Sequence, residues 1–211
     1  MERRRHKWNL LIQWVLASTL GWTIGLDLAL AVSAESVVLG AFVGTTVGIS
    51  QWLVLRRHVP LPWWWIPSSA IGFAAATVVG AFVGFPFIEV TDFSLGFALP
   101  SWLFPQKDLM VVSYVFGGPG AGAIVGAGVG LIQWFAFRRL LRPGPWVLSS
   151  TVGFAVGFAV ASWLSYVSKE LLIVGLSAGA IVGTITGFPL FVIPRALPRN
   201  LDLSTRTGMA S

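Results

Sequence analysis

An all-α membrane protein of six transmembrane helices is the fold class that this sequence predicts, with the helices paired into three parallel hairpins around a pseudo-three-fold axis. Three observations predict it: an apolar composition, a repeated pattern of glycine and tryptophan, and basic residues at alternate ends of the apolar runs. Of the 211 residues, 55% are hydrophobic and only 10% are charged, whereas about a quarter of a soluble domain is charged. Six spans of about 20 residues leave only short loops, so we expect a single transmembrane domain.

The apolar runs predict the six helices in order. Their expected bounds are about 8–31, 36–55, 64–86, 119–137, 147–167 and 171–193. The first run follows a basic N-terminal segment, as a signal peptide would, but it exceeds the core of roughly 7–15 apolar residues that signal peptides have. We therefore expect it to be a retained first helix.

Two patterns alternate along these runs and predict a three-fold repeat. The odd helices carry a tryptophan seven residues before a glycine, as in Trp14 and Gly21. The even helices carry three glycines at four-residue spacing, with an arginine eight residues after the last: Gly40, Gly44, Gly48 and Arg56; Gly122, Gly126, Gly130 and Arg138; Gly179, Gly183, Gly187 and Arg195. The predicted hairpins are 8–57, 62–139 and 146–196, with an outer insertion at 87–118 and a cytoplasmic tail at 197–211.

The basic residues predict the orientation in the membrane. Twelve of the 14 lysines and arginines lie before helix 1 or after helices 2, 4 and 6, and only Lys107 and Lys169 lie on the other side. Cytoplasmic loops carry the excess of lysine and arginine in membrane proteins. Both termini are therefore expected in the cytoplasm, and all three hairpins are expected to run parallel.

The glycine stripes predict close contacts between helices, because small residues let two backbones approach inside lipid. The residues that we assign to helix packing are Gly21, Gly25, Gly40, Gly44, Gly48, Gly72, Gly122, Gly126, Gly130, Gly153, Gly157, Gly179, Gly183 and Gly187. A second interpretation is that these glycines line a pore or contact a flat ligand such as a lipid or a pigment.

Polar side chains near the arginines are the candidate site. The candidates for ligand or lipid binding are Gln13, Gln51, Trp52, Gln133, Trp134, Arg56, Arg57, Arg138 and Arg139. Three glutamines at one depth could form a ring that binds a headgroup, a neutral solute or a pigment metal centre. The alternative is structural, since tryptophan is enriched at the membrane interface, lysine and arginine fix topology, and glutamine hydrogen-bonds between helices.

The stretch Gly117-Gly118-Pro119-Gly120 interrupts the run before the fourth predicted helix. A broken helix inside the membrane would indicate a transport site. Since residues 119–137 are long enough to span by themselves, we expect these residues to form a turn at the outer surface instead.

Catalytic and metal-binding patterns are missing from the sequence. It has no cysteine, and its two histidines, His6 and His58, lie in basic clusters. No acidic residue falls near the middle of a predicted span, where an ionisable group would indicate ion coupling. We therefore expect neither an enzyme nor a metal site, and the clustering of basic residues at span ends speaks against nucleic-acid binding.

The repeated unit Gly-x-x-x-Gly-x-x-x-Gly-x-x-Gln-Trp-x-x-x-Arg-Arg, seen at 40–57, resembles a group of small, uncharacterised bacterial multi-pass membrane proteins. The resemblance implies an inner-membrane or thylakoid-type location and no established activity. The leading hypothesis is a non-enzymatic accessory or scaffold subunit of a larger membrane complex, with membrane lipids and other membrane subunits as partners and lipid or pigment as a ligand. The alternative is a transporter or channel for a neutral or lipid-like solute.

Overall fold

The computed structural model describes residues 2–32, 36–58, 63–98, 106–138, 143–168 and 170–191, with side chains defined in 8–32, 37–58, 63–82, 118–136, 138, 143–165, 167–168 and 170–190. Six α-helices form this part of the chain, and it contains no strand. They are α1 (Glu2–Val32), α2 (Ser36–Leu55), α3 (Trp65–Ala98), α4 (Gln106–Phe137), α5 (Pro143–Val167) and α6 (Leu171–Gly187), and a short 3-10 helix, Phe188–Phe191, continues α6.

Each of the six helices contains a segment that is long and apolar enough to cross a bilayer. The segments are Trp8–Val32, Val37–Leu55, Trp65–Phe82, Gly118–Ala136, Pro143–Ser165 and Leu171–Leu190. Much of their surface is exposed and carries large apolar side chains, such as Leu16, Leu20 and Phe82, as a lipid-facing surface requires. The chain is therefore an integral multi-pass membrane protein of the all-α class, and this part of the sequence prediction is confirmed.

Helices α3 and α4 are longer than the sequence predicts. With 34 and 32 residues and a rise of 1.5 Å per residue, they reach about 51 and 48 Å, well beyond a hydrocarbon core of about 30 Å. The expected outer insertion at 87–118 is thus helical wherever its backbone is described, at 87–98 and 106–118.

The expected turn at Gly117–Gly120 is wrong, because these residues lie inside α4 with Pro119 in the helix interior. Proline removes one backbone donor, but neighbouring helices and local adjustment allow it in membrane helices. Gly118 has another reason to lack a side chain: a Cβ there would lie 2.9 Å from Ser162 Oγ of α5. The glycine marks a contact between helices and not a turn.

The helices form a closed ring in chain order. Within the described residues each helix contacts the helix before it and the helix after it, and α6 contacts α1. Because each α-helix contacts only two other α-helices in the described part of the chain, one face of every helix is turned toward a common axis and the opposite face outward.

Glycines of the even helices form close contacts with the backbone of the odd helix that follows in the ring. A Cβ at Gly44 of α2 would lie 2.6 Å from the Ser69 carbonyl oxygen of α3, and one at Gly126 of α4 would collide with the Ser150 carbonyl of α5. Gly179 of α6 faces α1 in the same way, since its Cβ would lie 2.7 Å from Thr19 Cα. The even helices therefore pack their glycines against the next odd helix, and for α6 the next odd helix is α1.

Glycines of the odd helices contribute to the contacts within each hairpin. A Cβ at Gly25 of α1 would lie 2.6 Å from Val43 Cα of α2, and one at Gly157 of α5 would lie 2.8 Å from Val182 Cγ2 of α6. Thr46 of α2 adds a polar contact between helices, because its hydroxyl lies 2.7 Å from the Gly21 carbonyl oxygen. Backbone approach of this kind supplies the packing that apolar burial cannot supply in lipid.

The glycines of α6 that correspond to those of α2 and α4 lie one helical turn earlier in the chain than the sequence predicts. Added Cβ atoms at Gly48, Gly130 and Gly183 would lie 3.0, 2.9 and 2.8 Å from the Cβ atoms of Ser69, Ser150 and Ser18. Gly183, and not Gly187, thus takes the position of Gly48 and Gly130. The prediction aligned α6 by Arg195, but α6 already ends at Gly187 and a 3-10 helix follows, so the distance from glycine to arginine is not that of the other helices.

Candidate functional site

Three tryptophans meet on the axis of the ring. Trp14 of α1, Trp65 of α3 and Trp146 of α5 are almost fully buried, and their ring centroids lie 5.9 to 6.3 Å apart with interplanar angles of 67° to 73°. Edge-to-face pairs of this kind contribute roughly 0.5–1.5 kcal/mol each beyond burial. This tryptophan triad closes the axis at one level.

A second aromatic layer lies two helical turns away on the same three helices. Trp22, Phe73 and Phe154 each follow a tryptophan of the triad by eight residues, and their ring centroids are 5.5 to 5.7 Å apart. All three are buried, and Val47, Val129 and Val182 line the space beside them. The axis is therefore closed at a second level.

A polar layer lies between the two aromatic layers. Ser18, Ser69 and Ser150 stand one turn after the tryptophans of the triad and are at most 1% exposed. Gln51 Nε2 donates a hydrogen bond to Ser18 Oγ at 3.1 Å, and Gln133 Nε2 donates one to Ser69 Oγ at 3.2 Å. Each glutamine thus joins the even helix of its hairpin to the odd one.

Thr186 occupies the position in α6 that Gln51 and Gln133 occupy in α2 and α4, because each of the three residues follows an equivalent glycine by three positions. Its hydroxyl accepts a hydrogen bond from Trp14 Nε1 at 3.3 Å and donates one to the Val182 carbonyl oxygen at 2.7 Å. The third member of the polar layer is therefore a short hydroxyl side chain and not an amide.

A cavity of about 10 Å³ lies in this polar layer. Its lining comes from both aromatic layers and from Gln51, Gln133, Ser150 and Thr186, and it includes no acidic, basic or histidine side chain. About one water molecule fits a space of this size. Within the described residues no group of three or more His, Cys, Asp or Glu side chains could hold a metal ion. The layer can donate and accept hydrogen bonds, but it holds no group that would act as an acid or a base near neutral pH.

The structure brings two of the three predicted glutamines together. Gln51 and Gln133 line the same cavity, whereas Gln13 is exposed on the outside of α1. Gln13 directly precedes Trp14, and successive residues on a helix point about 100° apart. Since Trp14 faces the axis, Gln13 cannot do so. The predicted ring of three glutamines is therefore wrong for Gln13, and Thr186 is the third polar side chain beside Gln51 and Gln133.

The predicted tryptophans pack beside the triad, and the predicted arginines that the structure describes lie at the surface. Trp52 and Trp134 are partly buried against the cluster that contains the triad. Arg56 and Arg57 are exposed, and the guanidinium carbon of Arg56 lies 4.6 Å from the centroid of the Trp52 ring. Arg138 is also exposed and lies 5.3 Å from the Phe135 ring, and Arg139 falls outside the described residues. Arg56, Arg57 and Arg138 do not line the cavity of the polar layer.

The buried serines are the site residues that the sequence analysis missed. The sequence contains a pattern that indicates them, because a serine follows a tryptophan by four residues in all three odd helices, at Ser18, Ser69 and Ser150. Thr186 was missed for another reason: the alignment of α6 by Arg195 placed Leu190 where a glutamine was expected. The predicted packing glycines are all buried, and each has atoms of a neighbouring helix within 4 Å of where its Cβ would be.

No family model, no curated protein and no solved structure matches this chain. Comparison with known proteins therefore assigns no activity to the axial layers.

Proposed function

We propose that this chain is a non-enzymatic structural subunit of a larger membrane complex, in which it acts as a rigid, closed ring of helices. We further propose that three parallel hairpins form the ring about a pseudo-three-fold axis, with both termini in the cytoplasm of a bacterial inner membrane or at the equivalent face of a thylakoid-type membrane. The resemblance to small bacterial multi-pass proteins supports this location.

The arrangement of the axial layers supports the three-fold proposal. Residues at the same position of the three odd helices contact one another twice along the axis, in the tryptophan triad and in the layer of Trp22, Phe73 and Phe154. The centroid distances within each layer agree to within a few tenths of an ångström. Three copies of one hairpin related by rotation would produce such layers.

The closed axis is the observation that carries the structural role. Two aromatic layers cross it, and the cavity between them has a volume of about 10 Å³. A solute larger than water could pass only if aromatic side chains of both layers moved aside. An axis that is close-packed and lined by uncharged side chains around this cavity favours a protein that holds its shape over one that opens.

The outer surface is where partners and lipids would bind. The glycines assigned to helix packing face neighbouring helices, so lipid or pigment contact would fall mainly on exposed side chains. Candidates are the stacked pair Trp63 and Trp64, whose ring centroids are 4.2 Å apart, and Phe82, which is 79% exposed. Flat aromatic side chains at the surface of a membrane protein suit acyl chains, pigments and the helices of other subunits.

One observation favours the alternative, a transporter or channel for a small neutral solute. Gln51, Gln133 and Thr186 form a buried polar layer on the axis, as a permeation path would require. The tryptophan triad and the second aromatic layer enclose this layer from both sides, and they favour the structural role.

Native mass spectrometry of the affinity-tagged protein, extracted from its own membranes in mild detergent, tests the structural role. We expect masses of this chain together with other polypeptides, lipids or a pigment. The chain expressed alone in a foreign host is the control, and it should appear without those polypeptides. A single monomeric species with no companion in both preparations would contradict the proposal.

A further inference from the structure

Two buried groups of opposite hydrogen-bonding character, one in the polar layer and one in the tryptophan triad beside it, have no partner in the described protein. Gln51 Oε1 is an acceptor and Trp146 Nε1 is a donor, and neither has a hydrogen-bond partner there. Gln51 is 5% exposed and Trp146 is 2% exposed. Both side chains line the cavity of about 10 Å³ on the axis.

A buried polar group without a hydrogen bond is costly in any protein, and the burial of both side chains keeps bulk water away from these two groups. Native proteins satisfy such groups with protein atoms or with buried water. Since no described protein atom pairs with these two groups, the remaining candidate is a small molecule inside the cavity.

We propose that the axial cavity is a binding site for one water molecule, which accepts a hydrogen bond from Trp146 Nε1 and donates one to Gln51 Oε1. The volume of about 10 Å³ is close to the minimum that holds a water. The lining includes no charged side chain to compensate a desolvated ion, whereas a neutral water can use both the unpaired donor and the unpaired acceptor. The remaining hydrogen of the water can reach a side-chain oxygen of the same layer, which Ser150 and Thr186 supply.

Thr186 explains why this space exists in a ring that is otherwise closely packed. At the equivalent positions of α2 and α4 stand Gln51 and Gln133, whose amides span the gap to Ser18 and Ser69. Thr186 has a shorter side chain and bonds to Trp14 instead. The water thus occupies volume that a third glutamine side chain would take.

A substitution follows directly from this geometry. In Thr186→Gln the amide reaches into the cavity toward Ser150 and displaces the water. Thr184→Gln is the matched control, because Thr184 lies on the same helix but is exposed on the outer face.

The experiment is a structure of the purified full chain at about 2 Å resolution, with parallel structures of the two variants. We expect one spherical density peak about 2.7–3.2 Å from both Gln51 Oε1 and Trp146 Nε1 in the wild type and in Thr184→Gln, and none in Thr186→Gln. Density continuous with a larger molecule, or a Gln51 amide that bonds directly to Trp146 with no peak between them, would overturn the proposal.

A second measurement is made on the wild-type protein and does not depend on the folding of Thr186→Gln. In protein labelled with ¹⁵N-tryptophan, the Trp146 indole hydrogen should give a nuclear Overhauser cross peak to a long-lived water, and Trp146→Phe identifies this resonance. An indole resonance of Trp146 without any cross peak to water, in protein whose other resonances are resolved, would contradict a bound water.

Discussion

Single glycines determine how closely the helices of this ring approach. At Gly126 of α4 there is no space for even a methyl group, because Ser150 of α5 presents its backbone carbonyl and Phe154 its Cβ at 2.8 Å. Backbone atoms cannot move aside as the end of a long side chain can. The ring would have to separate α4 from α5 to admit the methyl group.

Gly126→Ala is therefore expected to destabilise the protein. Overpacking a tight contact costs roughly 1–3 kcal/mol, which corresponds to a fall in Tm of about 5 °C for a chain of this size. Gly144→Ala is the control, since nothing lies within 4 Å of a Cβ at Gly144, and its Tm should stay within about 1 °C. Thermal unfolding in detergent measures both, and equal values for the two variants would show that Gly126 is not a tight contact.

At the scale of elements, α6 is the helix that closes the ring, and its register against α1 is set by glycine. An added Cβ at Gly175 would lie 3.5 Å from Thr23 Cβ, which is within the range that a disulfide spans. Gly179 instead faces Thr19 and Trp22. The chain has no cysteine, so a pair of introduced cysteines reports this contact without background.

Thr23→Cys combined with Gly175→Cys should form a disulfide between α1 and α6. After oxidation and proteolytic cleavage between α3 and α4, the two halves are expected to stay joined on a non-reducing gel. Thr23→Cys with Leu172→Cys is the control, because Leu172 is 60% exposed, and its halves should separate. If Thr23→Cys formed a disulfide with Gly179→Cys and not with Gly175→Cys, the alignment of α6 that the sequence predicts would be correct and the observed one wrong.

The sequence predicts most elements because span length and apolar composition are properties of each helix alone. The ends of α2 and α5 agree with prediction to within about four residues, whereas α6 ends early at Gly187 and α3 and α4 extend to Ala98 and from Gln106. Proline and glycine at 117–120 favour a turn by their local pattern, but neighbouring helices allow them inside a membrane helix. The register of α6 depends on contacts with α1, which no local pattern contains.

In the candidate site, too, local sequence patterns could be predicted and contacts between helices could not. Gln51 and Gln133 could be predicted, since a polar side chain recurs beside repeated glycines. Which way each glutamine points could not be predicted, because Gln13 and Gln51 both directly precede a tryptophan, yet Gln13 is exposed and Gln51 is buried. The contribution of Thr186 depends on the register of α6, so it became visible only in three dimensions.

At the scale of the whole molecule, the proposed orientation places the loop after Arg57 and the loop at Lys169 on opposite sides of the membrane. A fluorescent reporter that matures only in the cytoplasm should be bright when inserted after Arg57 and dark when inserted at Lys169, with at least a tenfold difference. Insertion after Arg142 is the control and should be bright. Equal signals at Arg57 and Lys169 would contradict parallel hairpins.

The ring as a whole is closed on its axis, and this is the property from which the structural role follows. Solute flux through the purified protein in proteoliposomes tests it most directly, with small neutral solutes such as glycerol and urea. Vesicles with wild-type protein should release these solutes no faster than protein-free vesicles, while an added pore-forming peptide releases them at once. Flux several-fold above that of protein-free vesicles, lowered by Gln51→Leu with Gln133→Leu but not by Gln13→Leu, would show that the axis opens and would contradict the account.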